Sequence, residues 1–252
     1  MNAHPLTILT GASRGMGLAM AEQLIDAGHA LLCISRHPAL SLAERASGKG
    51  VPLEQWPQDL ARGETAAARL ETWLQGRSPA VLSSVTLINN AALIAKVAPL
   101  EEQSAADIVD AMRVDLEAPL LLTSAFLRAT AGWQIPRRIL NISSGLARRP
   151  MAASALYCAA KAGMDLYSRC VALEQAALPN GARICSLAPG VIDTDMQVQL
   201  RTADPAAFPE RGNFVSLKEK GALTPPAEAA ARVLAWLARA DFGADVIADV
   251  RG

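Results

Sequence analysis

The 252-residue chain has no surplus of either charge, with 24 lysines and arginines against 24 aspartates and glutamates. Nucleic acids and anionic membranes are recognised through excess cation, so this balance turns the reading toward small-molecule chemistry. Metal-ligand spacing is missing too. Cys33, Cys158, Cys170 and Cys185 lie in or beside apolar patterns, and His4, His29 and His37 are scattered without the i, i+4 spacing of a helical zinc pair. The cysteines are expected to be reduced thiols, the histidines surface residues, and no metal is called for. The opening MNAHPLTILTG lacks a basic region followed by a long apolar run, and charges or prolines interrupt the other apolar stretches before they reach membrane-spanning length. A soluble, cytoplasmic protein is expected. With no internal repeat, low-complexity tract or Pro/Gly/Ser linker, and with 51% apolar residues, the chain reads as one α/β domain over 1–252.

Short apolar runs alternate with longer periodic ones. Strands are expected at 6–10, 30–35, 51–56, 85–90, 137–143, 182–188 and 245–250, and helices near 16–27, 63–75, 104–130, 154–178 and 226–240. Several strands are apolar without period-2 alternation, which points to a parallel sheet covered on both faces, a doubly wound fold of about seven strands. The stretch 196–223 has no clear period and carries Pro205, Pro209 and Gly212; it is expected to be a substrate lid or binding loop.

Two clusters of residues carry chemistry. In LTILTGASRGMGLAMAEQL, a glycine-rich turn joins the first strand to the first helix, with Gly11, Gly15 and Gly17 where backbone must turn tightly, approach a ligand or let helix pack on strand. The free N–H groups opening that helix would face a dinucleotide pyrophosphate, which adds Ser13, Arg14 and Met16 to the candidate cofactor site. The end of the second strand reads Ser35-Arg36, with no acidic residue at 33–36 to accept from ribose hydroxyls. Arg36 and Arg14 suit the 2′-phosphate of NADP(H), since planar forked guanidinium donors match phosphate oxygens. The second cluster is Ser144, Tyr157 and Lys161. On a helix Tyr157 and Lys161 share a face, so the ammonium is expected to lower the phenol pKa toward working pH and make Tyr157 an effective general acid. Ser144 would hydrogen-bond the same carbonyl oxygen, while Ser143, offset by one, would point to the opposite face.

The Thr10-to-Gly17 turn, Asp59, Asn89-Asn-Ala-Ala92, Ser144, Tyr157, Lys161 and Pro189-Gly190 followed by Thr194 occur in one order, and through them the chain resembles the short-chain dehydrogenase/reductase family over nearly its whole length. The resemblance implies a Rossmann-type sheet and an NADP-dependent carbonyl reductase, with Asp59 and Leu60 at the adenine and Asn89 and Ala91 lining the cofactor cleft. It likewise implies that Pro189, Gly190, Ile192 and Thr194 flank the nicotinamide, and that Lys161 also holds the nicotinamide ribose. Where family members carry an asparagine supporting a water chain to the lysine, this chain has Asp115, which accepts hydrogen bonds but cannot donate them as an amide does. Asp115 is therefore a further candidate catalytic residue, and the one feature that favours the alternative of a catalytically weak, regulatory NADPH-binding protein. LINNAA, NISS, LYCAAKAGMD and LAPGVIDTDMQ are most similar to sepiapterin reductases and bacterial benzil reductases. That likeness implies a ketone or vicinal dicarbonyl substrate facing Leu146, Met196 and Leu200, with Phe208 or Phe214 in the lid and Asp249 as a candidate anchor. It also implies a homodimer or homotetramer assembled through the helices at 104–130 and 154–178.

Overall fold

A computed structural model of the chain describes residues 3–251. Seven parallel strands form one sheet in the order β3-β2-β1-β4-β5-β6-β7. The first half runs β1 (His4–Thr10), α1 (Gly15–Asp26), β2 (Ala30–Ser35), α2 (Leu40–Lys49), β3 (Leu53–Pro57), α3 (Gly63–Gln75) and β4 (Leu82–Asn89). There follow α4 (Ala105–Met112), α5 (Ala118–Thr130), β5 (Arg137–Ile142), α6 (Ala155–Ala176), β6 (Arg183–Ala188), α7 (Asp195–Thr202), α8 (Arg211–Glu219), α9 (Pro226–Leu237) and β7 (Ile247–Asp249). The chain winds outward from β1 to β3, then crosses back so that β4 pairs with the other side of β1. Such a reversal leaves a crevice beyond the carboxyl ends of β1 and β4, where doubly wound sheets bind ligands.

Both sheet faces are dry, which explains the near-continuous apolar strands. Leu9, Leu31 and Cys33 pack with Met20, Leu24 and Val233 on one face. Their strand neighbours Leu6, Ile8, Leu32 and Ile34 pack with Leu70, Leu122 and Phe126 on the other. Successive side chains point to opposite faces, so two buried faces demand apolar residues at every position.

Several elements differ from expectation. α2 was not expected; its ten residues bury only Leu42 and Ala46, too few to print a period on the sequence, and Gly50 ends it in a left-handed conformation. The expected 104–130 helix is interrupted by a π-helical turn at Arg113–Glu117, which contains Asp115. The 196–223 stretch is not a bare loop, since it holds most of α7 and all of α8. α8 buries no residue fully, so it lacks the apolar stripe from which a helix is recognised. His29 is half-buried rather than superficial, its Nδ1 lying 3.0 Å from Thr7 Oγ1. Among the described residues, no helix is long and apolar enough to cross a membrane, and no group of three His, Cys, Asp or Glu side chains is placed to hold a metal.

Candidate active site

The carboxyl ends of β1, β4, β5 and β6 open into one cavity of about 1400 Å³. At one end lies the glycine turn. Gly11 and Gly15 have φ of +71° and +55°, conformations that favour glycine. A β-carbon on Gly17 would fall 2.0 Å from the Gly11 carbonyl oxygen and 2.6 Å from Asn90 Nδ2, so the third glycine lets α1 close onto the strand ends. Gly11, Ser13, Arg14, Gly15, Met16 and Gly17 all line the cavity. This turn, with a helix amino terminus opening behind it, fits the phosphates of a dinucleotide. Ser35, Arg36, Asp59 and Leu60 line the same end. Asp59 accepts from the Ala61 N–H at 3.0 Å and thereby caps a short 3-10 turn. Arg36 is exposed and has no ion pair among the described residues, whereas Arg14 Nη1 meets Asp195 Oδ2 on α7 at 2.8 Å.

Asn89 does not line the cavity. Its side chain points into the core, where Nδ2 donates to Asn141 Oδ1 at 2.8 Å and Thr123 Oγ1 at 3.2 Å. The lining residues are Asn90 and Ala91. Asn90 Nδ2 donates to the carbonyl oxygens of Thr10 and Gly11, at 3.0 and 3.3 Å, and so ties β4 to the glycine turn. The sequence placed two asparagines in a row, and strand alternation allows only one of them to face the crevice.

Ser144, Tyr157 and Lys161 converge on the cavity floor. Ser144 follows β5 and its Oγ accepts from the Leu146 N–H at 3.1 Å. Tyr157 and Lys161 lie one turn apart on α6; the ammonium donates to the Ile142 carbonyl oxygen at 2.9 Å and stands 5.6 Å from the tyrosine ring centre. Burial, and then the negative charge of Asp115, pushes the Tyr157 phenol above its ordinary range, with the Ser144 hydroxyl pulling the other way. The expected lowering by Lys161 is thus not found. Burial also disfavours the Lys161 ammonium, opposed by Asp115 and Asp165.

Asp115 lies behind the floor and does not line the cavity. Its Oδ1 accepts from the Leu93 N–H at 2.7 Å, while Oδ2 is buried without a partner. Burial pushes its carboxyl up to about 6, against the pull of Lys161 and of the Leu93 N–H. A group so placed touches Lys161 and the 93 segment and not the cavity.

Pro189, Gly190, Ile192 and Thr194 line the wall after β6, with Gly190 at φ +85°. Leu146, Met196 and Leu200 line the far end as expected, joined by Met151. Phe214 reaches the cavity; Phe208 is buried behind it, ring centres 5.6 Å apart, in a cluster with Met151 and Leu200. Asp249 is outside the lining. Its carboxylate accepts from Arg251 Nε at 2.8 Å and Nη2 at 2.7 Å, and it is the Arg251 side that borders the cavity.

Comparison with known proteins agrees with this geometry. The family model described as short chain dehydrogenase matches residues 6–205. The Bacillus cereus benzil reductase ((S)-benzoin forming) is 33% identical over 222 residues, covering 87% of this chain and 88% of its own. The Xenopus tropicalis sepiapterin reductase is 33% identical over 234 residues, covering 86% and 84%. The crystal structure of a short-chain dehydrogenase/reductase from Burkholderia vietnamiensis is 31% identical with a TM-score of 0.64, covering 99% of both chains.

Proposed function

The chain belongs to the short-chain dehydrogenase family, an oxidoreductase family that uses nicotinamide cofactors, and from that premise we propose that it is a single-domain NADPH-dependent carbonyl reductase for vicinal dicarbonyls or similarly activated ketones. The observation that carries this reading is the convergence of Ser144, Tyr157 and Lys161 on one cavity with the glycine turn at one end and an apolar lid at the other. When bound, the reduced nicotinamide supplies a hydride. The protein's own groups supply the rest. Ser144 holds the carbonyl oxygen and stabilises its developing charge, a contribution of about 2.7 to 4 kcal/mol in comparable sites. Tyr157 delivers the proton to that oxygen as general acid, and the Ser144 hydroxyl opposes the upward push that burial puts on its pKa. Lys161, anchored by the Ile142 carbonyl, holds its ammonium 5.6 Å from the tyrosine ring centre. The Met151, Leu200 and Phe214 surfaces exclude water and accept an apolar flank of the substrate.

NADPH over NADH is supported by Arg36, exposed at the end of β2 with no carboxylate beside it. An activated ketone is supported by the apolar far end and by the similarity to benzil and sepiapterin reductases. The intact Ser/Tyr/Lys set argues against a purely regulatory protein. We place it in the cytoplasm as a homodimer or homotetramer, and the assembly is supported by the exposed Val109, Leu120, Leu166 and Leu173 on α4, α5 and α6. The test is NADPH oxidation with benzil, sepiapterin and cyclohexanone, repeated with NADH. We expect benzil to be reduced far more efficiently than cyclohexanone, and NADPH to be preferred. Equal efficiencies for benzil and cyclohexanone would defeat the substrate reading, and equal use of NADH the cofactor reading.

A further inference from the structure

Asp165 lies on α6 one turn beyond Lys161 and two beyond Tyr157, so the three share a face of the helix. It is only 7% exposed, and the reaction described above makes no use of it. Its Oδ1 accepts from two hydroxyls, Ser143 Oγ at 2.6 Å and Ser186 Oγ at 2.8 Å. Its Oδ2 has no hydrogen-bond partner and stands 3.4 Å from Nε of Arg148, whose Nη2 donates to the Ala248 carbonyl oxygen at 3.2 Å.

These partners bracket the catalytic serine. Ser143 immediately precedes Ser144, and Arg148 follows the 3-10 turn Gly145–Ala147 that Ser144 caps. Ser186 belongs to β6, shortly before the Pro189-Gly190 wall, and Arg148 extends the network to β7. Ser143 borders the cavity, but its hydroxyl is committed to Asp165. A carboxylate suits the position: one oxygen takes two hydroxyl protons while the other faces a guanidinium, whereas an amide has to present N–H donors on one side.

We infer that Asp165 is a positioning residue that locks the Ser144 segment and the end of β6 onto the helix carrying Tyr157 and Lys161, and so sets the serine-to-tyrosine geometry on which proton delivery depends. The inference rests on the reductase reading for its kinetic arm alone. Its charge also reaches Lys161, which faces Asp115 from the π-helical turn, Asp165 and Tyr157 from α6, and the Ile142 carbonyl from β5. Asp165 in turn faces Arg148, Lys161 and the Cys185 thiol of β6.

The experiment compares the full chain with Asp165→Asn and Ser143→Ala. Benzil kinetics are followed across pH, NADPH binding by fluorescence, and each variant's crystal structure is determined. Asp165→Asn is expected to lower kcat on the order of 10- to 100-fold, the loss that follows a misplaced reacting group. The KM for benzil and the affinity for NADPH should stay within about threefold, because transition-state geometry and not ground-state binding is disturbed. Ser143→Ala, which leaves the carboxylate in place, should lower kcat on the order of fivefold. Removing a carboxylate neighbour makes Lys161 easier to deprotonate, so the alkaline limb of kcat should move to lower pH in Asp165→Asn and stay in place in Ser143→Ala. A merely structural role would not move that limb. The kcat of both variants within about twofold of the parent, or an alkaline limb that does not move in Asp165→Asn, would overturn the inference. If Asp165→Asn does not fold, Ser143→Ala decides by its kcat. If the parent reduces no dicarbonyl, the reductase reading falls by itself; Asp165 is then judged by the crystal structures, where a Ser144 hydroxyl displaced by about 1 Å supports it and an unmoved one refutes it.

Discussion

Beneath the cavity, around Lys161, buried polar groups are fastened to one another: Asn89 to Asn141, Asn141 Nδ2 to Ser168, Lys161 to the Ile142 carbonyl, and Ser143 and Ser186 to Asp165. Across the cavity, α7 buries only Gln197 and Leu200, α8 buries nothing fully, and three buried side chains, Met151, Leu200 and Phe208, form the core of the lid. The floor has many mutually dependent constraints and the lid has few. A buried polar network stays ordered because each unpaired member would cost about 1 to 3 kcal/mol, whereas a small apolar cluster under short helices can repack or open at little cost. The floor is therefore the part suited to fixed chemistry, and the lid the part suited to choosing and admitting a substrate.

The sharpest way to break this division is to remove from the floor the hydroxyl proposed as the proton donor. Tyr157→Phe keeps the ring against α6 and deletes the hydroxyl, so benzil turnover should fall by about 10²- to 10⁴-fold, with NADPH binding almost unchanged. Stopped-flow measurement of NADPH oxidation, paired with a binding titration, decides it. A variant that kept more than about a tenth of the parent rate would remove Tyr157 from the proton-donor role.

Phe208→Ala tests the other side. Phe208 is fully buried yet outside the lining, so its loss should loosen Phe214 and Leu200 without touching the floor. We expect the KM for benzil to rise on the order of tenfold, since a methylene-sized misfit alone is worth about 1 to 3 kcal/mol in such pockets, with NADPH affinity intact. Limited proteolysis should quicken within 195–219. An unchanged KM alongside a fall in global thermal stability would place Phe208 in the general core and erase the contrast between the two regions.

This division also governs how much was legible in the sequence. The glycine turn, Ser144, Tyr157 and Lys161 were picked out by residue type and spacing, and all of them face the cavity. The doubly wound sheet could be read because two dry faces force apolar residues at successive strand positions. Asn89 was assigned to the cleft in place of its neighbour Asn90, because identity alone cannot say which face of a strand end a residue takes. α7 and α8 stayed hidden because the lid's few anchors, Leu200 and Phe208 above all, are too far apart to form a period. The Tyr157 shift was read with the wrong sign because burial, which no spacing records, and the charge of Asp115 both push the phenol up. The network at Asp165 joins α6, the segment after β5 and β6, and left no local signal at all.

A smaller effect on turnover is expected at Asp115, one of the floor groups with an oxygen left unpartnered. Its carboxyl, pushed up to about 6 by burial, is easier to protonate in the folded chain than in the unfolded one. The stability linked to its proton is therefore present at low pH and lost as pH rises toward 6, above which the fold carries an ionised carboxylate with one oxygen unpartnered. Asp115→Asn keeps an acceptor for the Leu93 N–H and removes the charge. Its stability relative to the parent should improve between about pH 4 and 6 and then level off, by about 2 to 3 kcal/mol if Lys161 tolerates the loss of a counter-charge. Turnover should be equal or slightly higher. Denaturant melts at pH 4 and pH 8 measure the gap; one that fails to widen would mean that the Asp115–Lys161 attraction outweighs burial.

The smallest change is expected at Asp249, the residue that the sequence offered as a substrate anchor. An anchor has to point its carboxylate into the cavity with capacity to accept from the substrate. Here Asp249 ends β7 outside the lining, and Arg251 occupies both of its oxygens, through the main-chain N–H, Nε and Nη2. The Arg251 guanidinium holds the carboxyl below its ordinary range, as its hydrogen bonds require. Asp249→Ala would remove a pair at the molecular surface, where such pairs contribute little, and would leave the floor network and the lid cluster as they are. Reduction of both benzil and sepiapterin should therefore stay within about twofold of the parent. A selective loss of sepiapterin reduction, with benzil spared, would show that the Asp249–Arg251 pair opens when a polar substrate enters, and that the boundary between fixed floor and adaptable lid has to be moved to include the end of β7.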